Sequence, residues 1–128
     1  MLGTIGQIAW NVSDVDRAEA FYGDTLGLRK LYRYGDLVFF DCDGVRLMLS
    51  KPEAGDGPVT PHGALYFKVA DLAGTVAILG QRGVRFVDQM HLVAPMSDHD
   101  LWMTFLRDPD GHLIGMMMEA PRGWKPPA

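Results

Sequence analysis

The chain has a single cysteine, Cys42, so an intrachain disulfide and a cluster of thiolate metal ligands are both excluded. Its 12 basic residues are scattered and are outnumbered by 16 acidic ones, which argues against nucleic acid or an anionic membrane as a partner. No apolar run is long enough to cross a bilayer, and the first residues lack the basic and apolar stretches of a signal peptide. We therefore expect a cytoplasmic protein with neither a membrane nor a nucleic-acid partner.

Two short patterns each occur twice. Asp41-Cys42-Asp43-Gly44 precedes an apolar strand pattern, and Asp108-Pro109-Asp110-Gly111 precedes another 67 positions later. Val12-Ser13-Asp14 opens one helical pattern, and Val69-Ala70-Asp71 opens a second 57 positions later. Because 128 residues with 48% apolar content suit a single domain, the repeats indicate two similar halves of one domain.

Each half has the pattern of one helix and four strands. Asp14 and Asp71 are N-caps before apolar residues at helical spacing. Gly27 follows the first helical pattern as a stop signal, and Gly80 and Gly83 follow the second. The segment Asp88–Asp100 is predicted to be a long loop, and whether it forms a lid is left open. The predicted strands are Ile5–Val12, Arg29–Tyr34, Leu37–Asp41, Val45–Ser50, Ala64–Val69, Val84–Val87, Leu101–Leu106 and His112–Glu119.

These elements predict an α+β fold. Two tandem β-α-β-β-β modules are expected to form a curved, partly closed sheet with the helices outside. We expect one domain over residues 1–128, with module one at about 1–50, a linker rich in Pro and Gly at about 51–61, and module two at about 62–120. The tail, residues 121–128, is expected to lie on the surface or to fray.

Three segments carry a family resemblance: Asn11-Val12-Ser13-Asp14, then Phe21–Leu28, which reads FYGDTLGL, and Phe105–Gly111, which reads FLRDPDG. Together with the doubled layout, they resemble the vicinal oxygen chelate superfamily, which includes glyoxalase I, bleomycin-binding proteins and extradiol dioxygenases. The resemblance implies the glyoxalase/bleomycin resistance/dihydroxybiphenyl dioxygenase fold and a homodimer. It does not imply one reaction, because the superfamily hosts several.

The resemblance also implies where a divalent metal would bind. In metal-using members each half supplies two ligands, one on its first strand and one on its last. The corresponding residues of this chain are Gln7, Met48, Ala64 and Gly115. Alanine and glycine have no ligating side chain, and a thioether is a poor ligand for hard cations. We therefore expect no metal cofactor.

The favoured function is the binding of a small, largely apolar or aromatic molecule in a cavity between the modules. Gly115 would leave space for such a ligand, and methionine adapts to irregular apolar surfaces. Buried amides such as Gln7 and Asn11 need hydrogen-bond partners, which either a ligand or an adjacent strand can supply. The predicted ligand-binding residues are Gln7, Asn11, Met48, Tyr66, Trp102, Gly115 and Met117.

The alternative is an enzyme of the same superfamily, a lyase, isomerase or dioxygenase. It would hold one divalent metal ion in a displaced site formed by Gln7, His62 and Glu119, or would use acid–base chemistry without a metal. The candidate catalytic residues are His62, His91, His99 and Glu119.

Overall fold

The computed structural model describes residues 1–128, and the chain divides into two units, Met1–Thr60 and Pro61–Ala128. The first unit contains β1 (Gln7–Asn11), α1 (Val15–Ala20), a π-helical segment (Phe21–Thr25), β2 (Arg29–Tyr34), β3 (Leu37–Cys42) and β4 (Val45–Ser50). The second contains β5 (Ala64–Lys68), α2 (Leu72–Gln81), β6 (His91–Pro95), β7 (Asp100–Arg107) and β8 (Leu113–Ala120). No helix has the length and apolar content to span a membrane.

Aspartate carboxylates begin both α-helices, as predicted. Asp14 accepts a hydrogen bond from the backbone N–H of Arg17 at 3.0 Å, and Asp71 accepts one from that of Gly74 at 3.0 Å. These bonds satisfy amide groups that the first turn of a helix leaves unpaired. Gly27 follows the first helical stretch at φ 79°, a left-handed conformation that glycine adopts without strain.

Each unit contains one mixed four-stranded sheet, and the two sheets have the same topology. The strand orders are β1-β4-β3-β2 and β5-β8-β7-β6. In each order the first pair is parallel, and the other two pairs are antiparallel. The predicted α+β fold with two β-α-β-β-β modules is therefore confirmed, while hydrogen bonding gives one open sheet per module rather than a single partly closed one.

The repeat extends to the register of the strands. Phe39 lies opposite Met48 in the first sheet, and Phe105 lies opposite Gly115 in the second. Met48 and Gly115 are 67 positions apart, which is the offset of the two Asp-Gly patterns in the sequence. The two units are therefore structural copies of one supersecondary unit.

Each helix covers one face of its own sheet, and the core lies there. In the first unit the ring of Tyr22, in the π-helical segment, lies 6.3 Å from the ring of Phe40, and both residues are fully buried. In the second unit the backbone N–H of Leu72, in α2, donates to the sulfur of Met118 in β8 at 3.3 Å. The opposite side of each sheet, called here the helix-free face, carries the polar and aromatic side chains considered below.

Two predictions for the second half are wrong. Residues 84–87 form no strand and make only an isolated bridge, between Phe86 and Leu106. The predicted loop Asp88–Asp100 contains β6, His91–Pro95, and β7 begins at Asp100. Because β6 is an edge strand, paired only with β7, it tolerates polar residues and Pro95, which make it look like a loop in sequence.

The tail does not fray, contrary to one of the two expectations for it. The Trp124 ring packs edge-on against Trp102, with the ring centroids 5.3 Å apart. The backbone N–H of Gly123 donates to the Asp100 carboxylate at 2.8 Å. An apolar contact and a charge-assisted hydrogen bond thus hold the tail against β7.

Candidate functional site

The side chain of Gln7 is held by its neighbours on the helix-free face of the first sheet. Its Oε1 accepts a hydrogen bond from Nε of Arg46 at 2.7 Å. Its Nε2 lies 3.8 Å from the sulfur of Met48. The structure thus brings together Gln7 and Met48, as predicted, and adds the guanidinium of Arg46 beside them.

Gly115 makes room for aromatic rings, which corrects the expectation that it leaves open space for a ligand. A Cβ atom at this position would stand 2.8 Å from Cδ1 of Tyr66 and 2.9 Å from Cε1 of Phe105. Both distances are too short for carbon atoms that are not bonded to each other. The absent side chain therefore allows Tyr66 and Phe105 to meet above the backbone of β8, with their ring centroids 5.7 Å apart.

The residues at the four predicted metal positions do not fit a hard divalent cation. Ala64 and Gly115 have no donor atom, and Met48 offers only a thioether. The single amide oxygen, of Gln7, already accepts a hydrogen bond from a cationic side chain. No group of three or more His, Cys, Asp or Glu side chains is gathered where a metal could be held.

Two of the residues in the predicted displaced site lie in the second unit. Glu119 forms an ion pair with Lys68, with 3.1 Å between Oε2 and Nζ. His62 is exposed on the segment before β5. Gln7, the third member, lies in the first unit and is bonded to Arg46. Two of the three side chains therefore already have polar partners other than a metal.

An aromatic cluster lies on the helix-free face of the first sheet. The rings of Tyr32 and Phe39 stack with centroids 4.5 Å apart, and Cζ of Arg46 lies 5.4 Å from the Phe39 centroid. Tyr32 keeps 47% of its surface exposed, so one face of the stack meets solvent. We call Tyr32, Phe39 and Arg46 the first cluster. The predicted residue Asn11 lies on the same face and accepts a hydrogen bond from Ser50 Oγ at 3.2 Å.

A second aromatic cluster occupies the helix-free face of the second sheet. Phe105 meets the ring of Tyr66 edge-on at 5.7 Å and stacks with the ring of His91 at 6.3 Å and 24°. Tyr66 is 54% exposed. We call Tyr66, His91 and Phe105 the second cluster. The predicted residue Met117 lies on the same face as Gly115, because side chains alternate along a strand.

Trp102 is separated from the other predicted ligand-binding residues of the second unit. It is paired in register with Met118, whose sulfur accepts a hydrogen bond from α2, so both lie on the helix-covered face. Tyr66 and Gly115 lie on the opposite face. Residue parity decides this placement: Trp102 and Phe105 are an odd number of positions apart on one strand.

The family model described as Glyoxalase/Bleomycin resistance protein/Dioxygenase superfamily matches residues 4–116 of the chain. The chain belongs to this superfamily. The membership agrees with the doubled β-α-β-β-β layout and confirms the resemblance found in the sequence.

Solved structures of the superfamily and of other proteins share the fold. A superfamily member from Sphaerobacter thermophilus has a TM-score of 0.75 at 23% identity, covering 92% of this chain and 98% of that one. Lactoylglutathione lyase from Agrobacterium tumefaciens has a TM-score of 0.72 at 23% identity, with coverages of 96% and 98%. An integron cassette protein from the mobile metagenome of V. cholerae has a TM-score of 0.76 at 17% identity, with coverages of 94% and 98%.

Two histidines of the chain, His91 and His99, lie beside carboxylates. His99 Nδ1 is 2.8 Å from Oδ1 of the adjacent residue Asp98, and this hydrogen bond lowers the pKa of Asp98 below its ordinary value. His91 Nδ1 is 3.4 Å from Oδ2 of Asp88. Of the two, only His91 belongs to an aromatic cluster.

The thiol of Cys42, the one cysteine of the chain, is not activated. Burial raises the pKa of Cys42, and the neighbouring carboxylate of Asp41 raises it further. Because the thiolate is the nucleophilic form, both effects reduce the reactivity of this residue.

Sequence reasoning does not identify Phe39, Arg46 or Asp88 as site residues. Phe39 and Phe105 each lie on the strand that precedes an Asp-Gly turn, four residues before Asp43 and five before Asp110, and this placement is the signal that could have found them. Arg46 and Asp88 carry no comparable signal. Their importance arises from the strands and loops that lie beside them in this superfamily fold, which the linear pattern does not specify.

Proposed function

We propose that this superfamily member binds a small, planar aromatic molecule at the aromatic clusters of its sheets, without a divalent metal. The observation that carries the proposal is the repeated placement of phenylalanine. Phe39 and Phe105 occupy the same register in the two sheets, opposite the positions where the resemblance implies a metal ligand. Those positions hold Met48 and Gly115, which suit apolar contact rather than coordination of a hard cation.

The composition of the clusters supports an aromatic ligand over a merely apolar one. Tyr32 and Tyr66 each present a partly exposed ring beside a better buried phenylalanine. Stacked or edge-to-face rings gain about 0.5–1.5 kcal/mol beyond their buried area, and a saturated ligand lacks that gain. Arg46, held over Phe39, adds a cation that favours an electron-rich ring or an anionic group.

The test is calorimetric titration with a matched pair of probes, 2-naphthol and its saturated counterpart trans-2-decalol. The protein is purified without a metal-affinity tag, and the titrations are repeated in EDTA. We expect 2-naphthol to bind more tightly than trans-2-decalol, with no effect of EDTA. Phe39→Leu and Phe105→Leu should each reduce the affinity of the site they line by about two- to tenfold.

Phe67→Leu is the matched control for these variants. Phe67 is paired with Met116 and lies on the helix-covered face of the second sheet, so the substitution should leave affinity for 2-naphthol unchanged. Equal affinity for the two probes would argue against an aromatic site. A near-stoichiometric metal in the purified protein, needed for binding, would overturn the metal-free proposal.

The alternative function is a lyase, isomerase or dioxygenase. One observation favours acid–base chemistry: His91 is placed between Asp88 and Phe105. A displaced metal site is less well supported, because Glu119 is paired with Lys68. If His62→Ala and Glu119→Gln leave the metal content of the protein unchanged, the displaced site is excluded. His99, the remaining catalytic candidate, is tested by His99→Gln in the same assays.

We also propose a homodimer that works in the cytoplasm. The dimer follows from the resemblance to the superfamily, and the compartment agrees with a chain whose one cysteine cannot form an intrachain disulfide. Light scattering after size-exclusion chromatography tests the assembly. A mass near the 14.2 kDa of one chain at micromolar concentration would contradict it.

A further inference from the structure

Asp88 is fixed by the strand beneath it. Its Oδ1 accepts hydrogen bonds from the Thr104 hydroxyl at 2.8 Å and from the backbone N–H of Phe105 at 2.9 Å. Thr104 is almost fully buried, so this side of the carboxylate is anchored to the core. The other oxygen, Oδ2, is left to face His91 at 3.4 Å.

The imidazole of His91 is held on two sides. Its Nδ1 lies 2.9 Å from the backbone carbonyl oxygen of Gln89, and its ring stacks on Phe105. A carbonyl oxygen only accepts hydrogen bonds, so Nδ1 carries the hydrogen in the neutral ring. Nε2 is then the atom with the free lone pair, and it makes no hydrogen bond within the protein.

We propose that Asp88 and His91 form a proton-accepting pair that recognises an acidic hydroxyl group on an aromatic ligand of the second cluster. Asp88 acts as the positioning residue, since its Oδ2, 3.4 Å from Nδ1, stabilises positive charge on the ring as the proton is shared, while the Gln89 carbonyl oxygen sets the tautomer. Nε2 of His91 accepts the hydrogen bond, while Phe105 and Tyr66 contact the ligand ring. The inference rests on the proposed function and narrows its ligand class to hydroxylated aromatic molecules.

The other charged groups of this face do not compete for the same role. Lys68 and Glu119 are paired with each other at 3.1 Å. Arg107 donates to the backbone oxygen of Gly111 at 2.9 Å. His91 is therefore the side chain of the second cluster with an unused nitrogen acceptor beside the aromatic rings.

The first test needs no ligand. Nitrogen-15 NMR of the histidine rings distinguishes a hydrogen on Nδ1 from a hydrogen on Nε2 in the wild-type protein. We expect His91 to be the Nδ1–H tautomer when neutral, both in the wild type and in Asp88→Asn, because the Gln89 carbonyl oxygen is a backbone acceptor that this substitution retains. A dominant Nε2–H tautomer in the wild type would overturn the proposal.

The second test compares 2-naphthol with 2-methoxynaphthalene, which has the same rings but no hydroxyl hydrogen. We expect 2-naphthol to bind about three- to tenfold more tightly, the range of one hydrogen bond. His91→Phe keeps a stacking ring and should remove this preference while binding of 2-methoxynaphthalene persists. Asp88→Asn should weaken the preference, and Asp98→Asn, which changes the other histidine-paired carboxylate, should keep it.

The outcomes separate this inference from the proposed function. Equal binding of the two naphthalenes would overturn the proton-accepting role and leave the aromatic site standing. If neither naphthalene binds, both this inference and the proposed function are overturned. If Asp88→Asn fails to fold, two measurements still test the inference. They are the tautomer of His91 in the wild-type protein and the relative affinity of His91→Phe for 2-naphthol and 2-methoxynaphthalene.

Discussion

The ring of Tyr66 lies where a side chain on residue 115 would have to begin. Cδ1 of Tyr66 would be 2.8 Å from a Cβ atom at Gly115, and Phe105 would be nearly as close. The glycine is therefore a packing requirement of the second cluster. This relationship links one sequence position that lacks a side chain to the aromatic surface from which a function is proposed.

Gly115→Ala should destabilise the protein by about 1–3 kcal/mol, because the added methyl group must displace two rings packed on β8. Urea unfolding followed by circular dichroism measures the change. Gly80→Ala is the matched control, since nothing lies within 4 Å of a Cβ there and the residue is helical. That variant should gain up to about 1 kcal/mol, and equal effects of the two substitutions would refute the packing argument.

Asp41 should contribute stability that acid removes. A hydrogen bond from the backbone N–H of Gly44 and an ion pair with Arg29 lower the pKa of Asp41 below its usual 3.8. A lowered pKa in the folded state means that the contribution is present above pH 3.8 and is lost as the pH falls through the folded value. Asp41→Asn should therefore be less stable than wild type at pH 7, and the difference should shrink in acid.

The stability of Asp41→Asn and of wild type is measured by thermal unfolding from pH 7 down into acid below pH 3.8. Asp36→Asn is the comparison variant, since Asp36 lies in the turn between β2 and β3 and is exposed. Its stability should be close to that of wild type at pH 7, since no hydrogen bond or ion pair is lost. If the difference in thermal stability between Asp41→Asn and wild type stays constant down to strong acid, the stabilising role of the ionised Asp41 carboxylate is contradicted.

Removing the Trp124 ring should loosen the tail. Trp124→Ala deletes the edge-on contact with Trp102, and a loss of about 1–3 kcal/mol is expected from the aromatic pair and its buried area. The near-ultraviolet circular dichroism of the tryptophans should weaken as well. Lys125→Ala, at the exposed neighbouring position, should change neither quantity. An unchanged spectrum for Trp124→Ala would contradict the docked tail.

Cys42 should react slowly with iodoacetamide. Burial and the carboxylate of Asp41 both raise its pKa, so less thiolate is present at neutral pH than for a free cysteine. Mass spectrometry should show alkylation slower than that of glutathione at pH 7, with the rate increasing as the pH rises. Unfolding in urea should remove the difference. Faster alkylation of the folded protein than of glutathione would show that the thiol is activated.

Much of the fold could be predicted because local patterns and turn chemistry agree. Arg29–Tyr34 and Val45–Ser50 are strands with the predicted bounds. The Asp-Gly turn between β3 and β4 has positive φ at both residues, 56° at Asp43 and 94° at Gly44, as a tight hairpin requires. β6 could not be predicted, because an edge strand is specified by its pairing with β7 more than by its own apolar pattern.

The candidate site was less predictable than the fold. Gln7 and Met48 could be placed on one face by strand parity, and the structure has them in contact. The clusters depend on which strands become neighbours, so the contact of Arg46 with Phe39 across β3 and β4 has no local signature. The pairing of Asp88 with His91 depends on a buried hydroxyl, that of Thr104, sixteen positions further along the chain.

Ala9 and Tyr66 are equivalent positions of the two copies, since the first lies opposite Met48 and the second opposite Gly115. A methyl group in one half therefore corresponds to an aromatic ring in the other. Each half holds its own phenylalanine within its own hydrogen-bonded sheet. One backbone unit therefore carries two different surfaces in this chain, and side-chain size at a single equivalent position sets the difference between them.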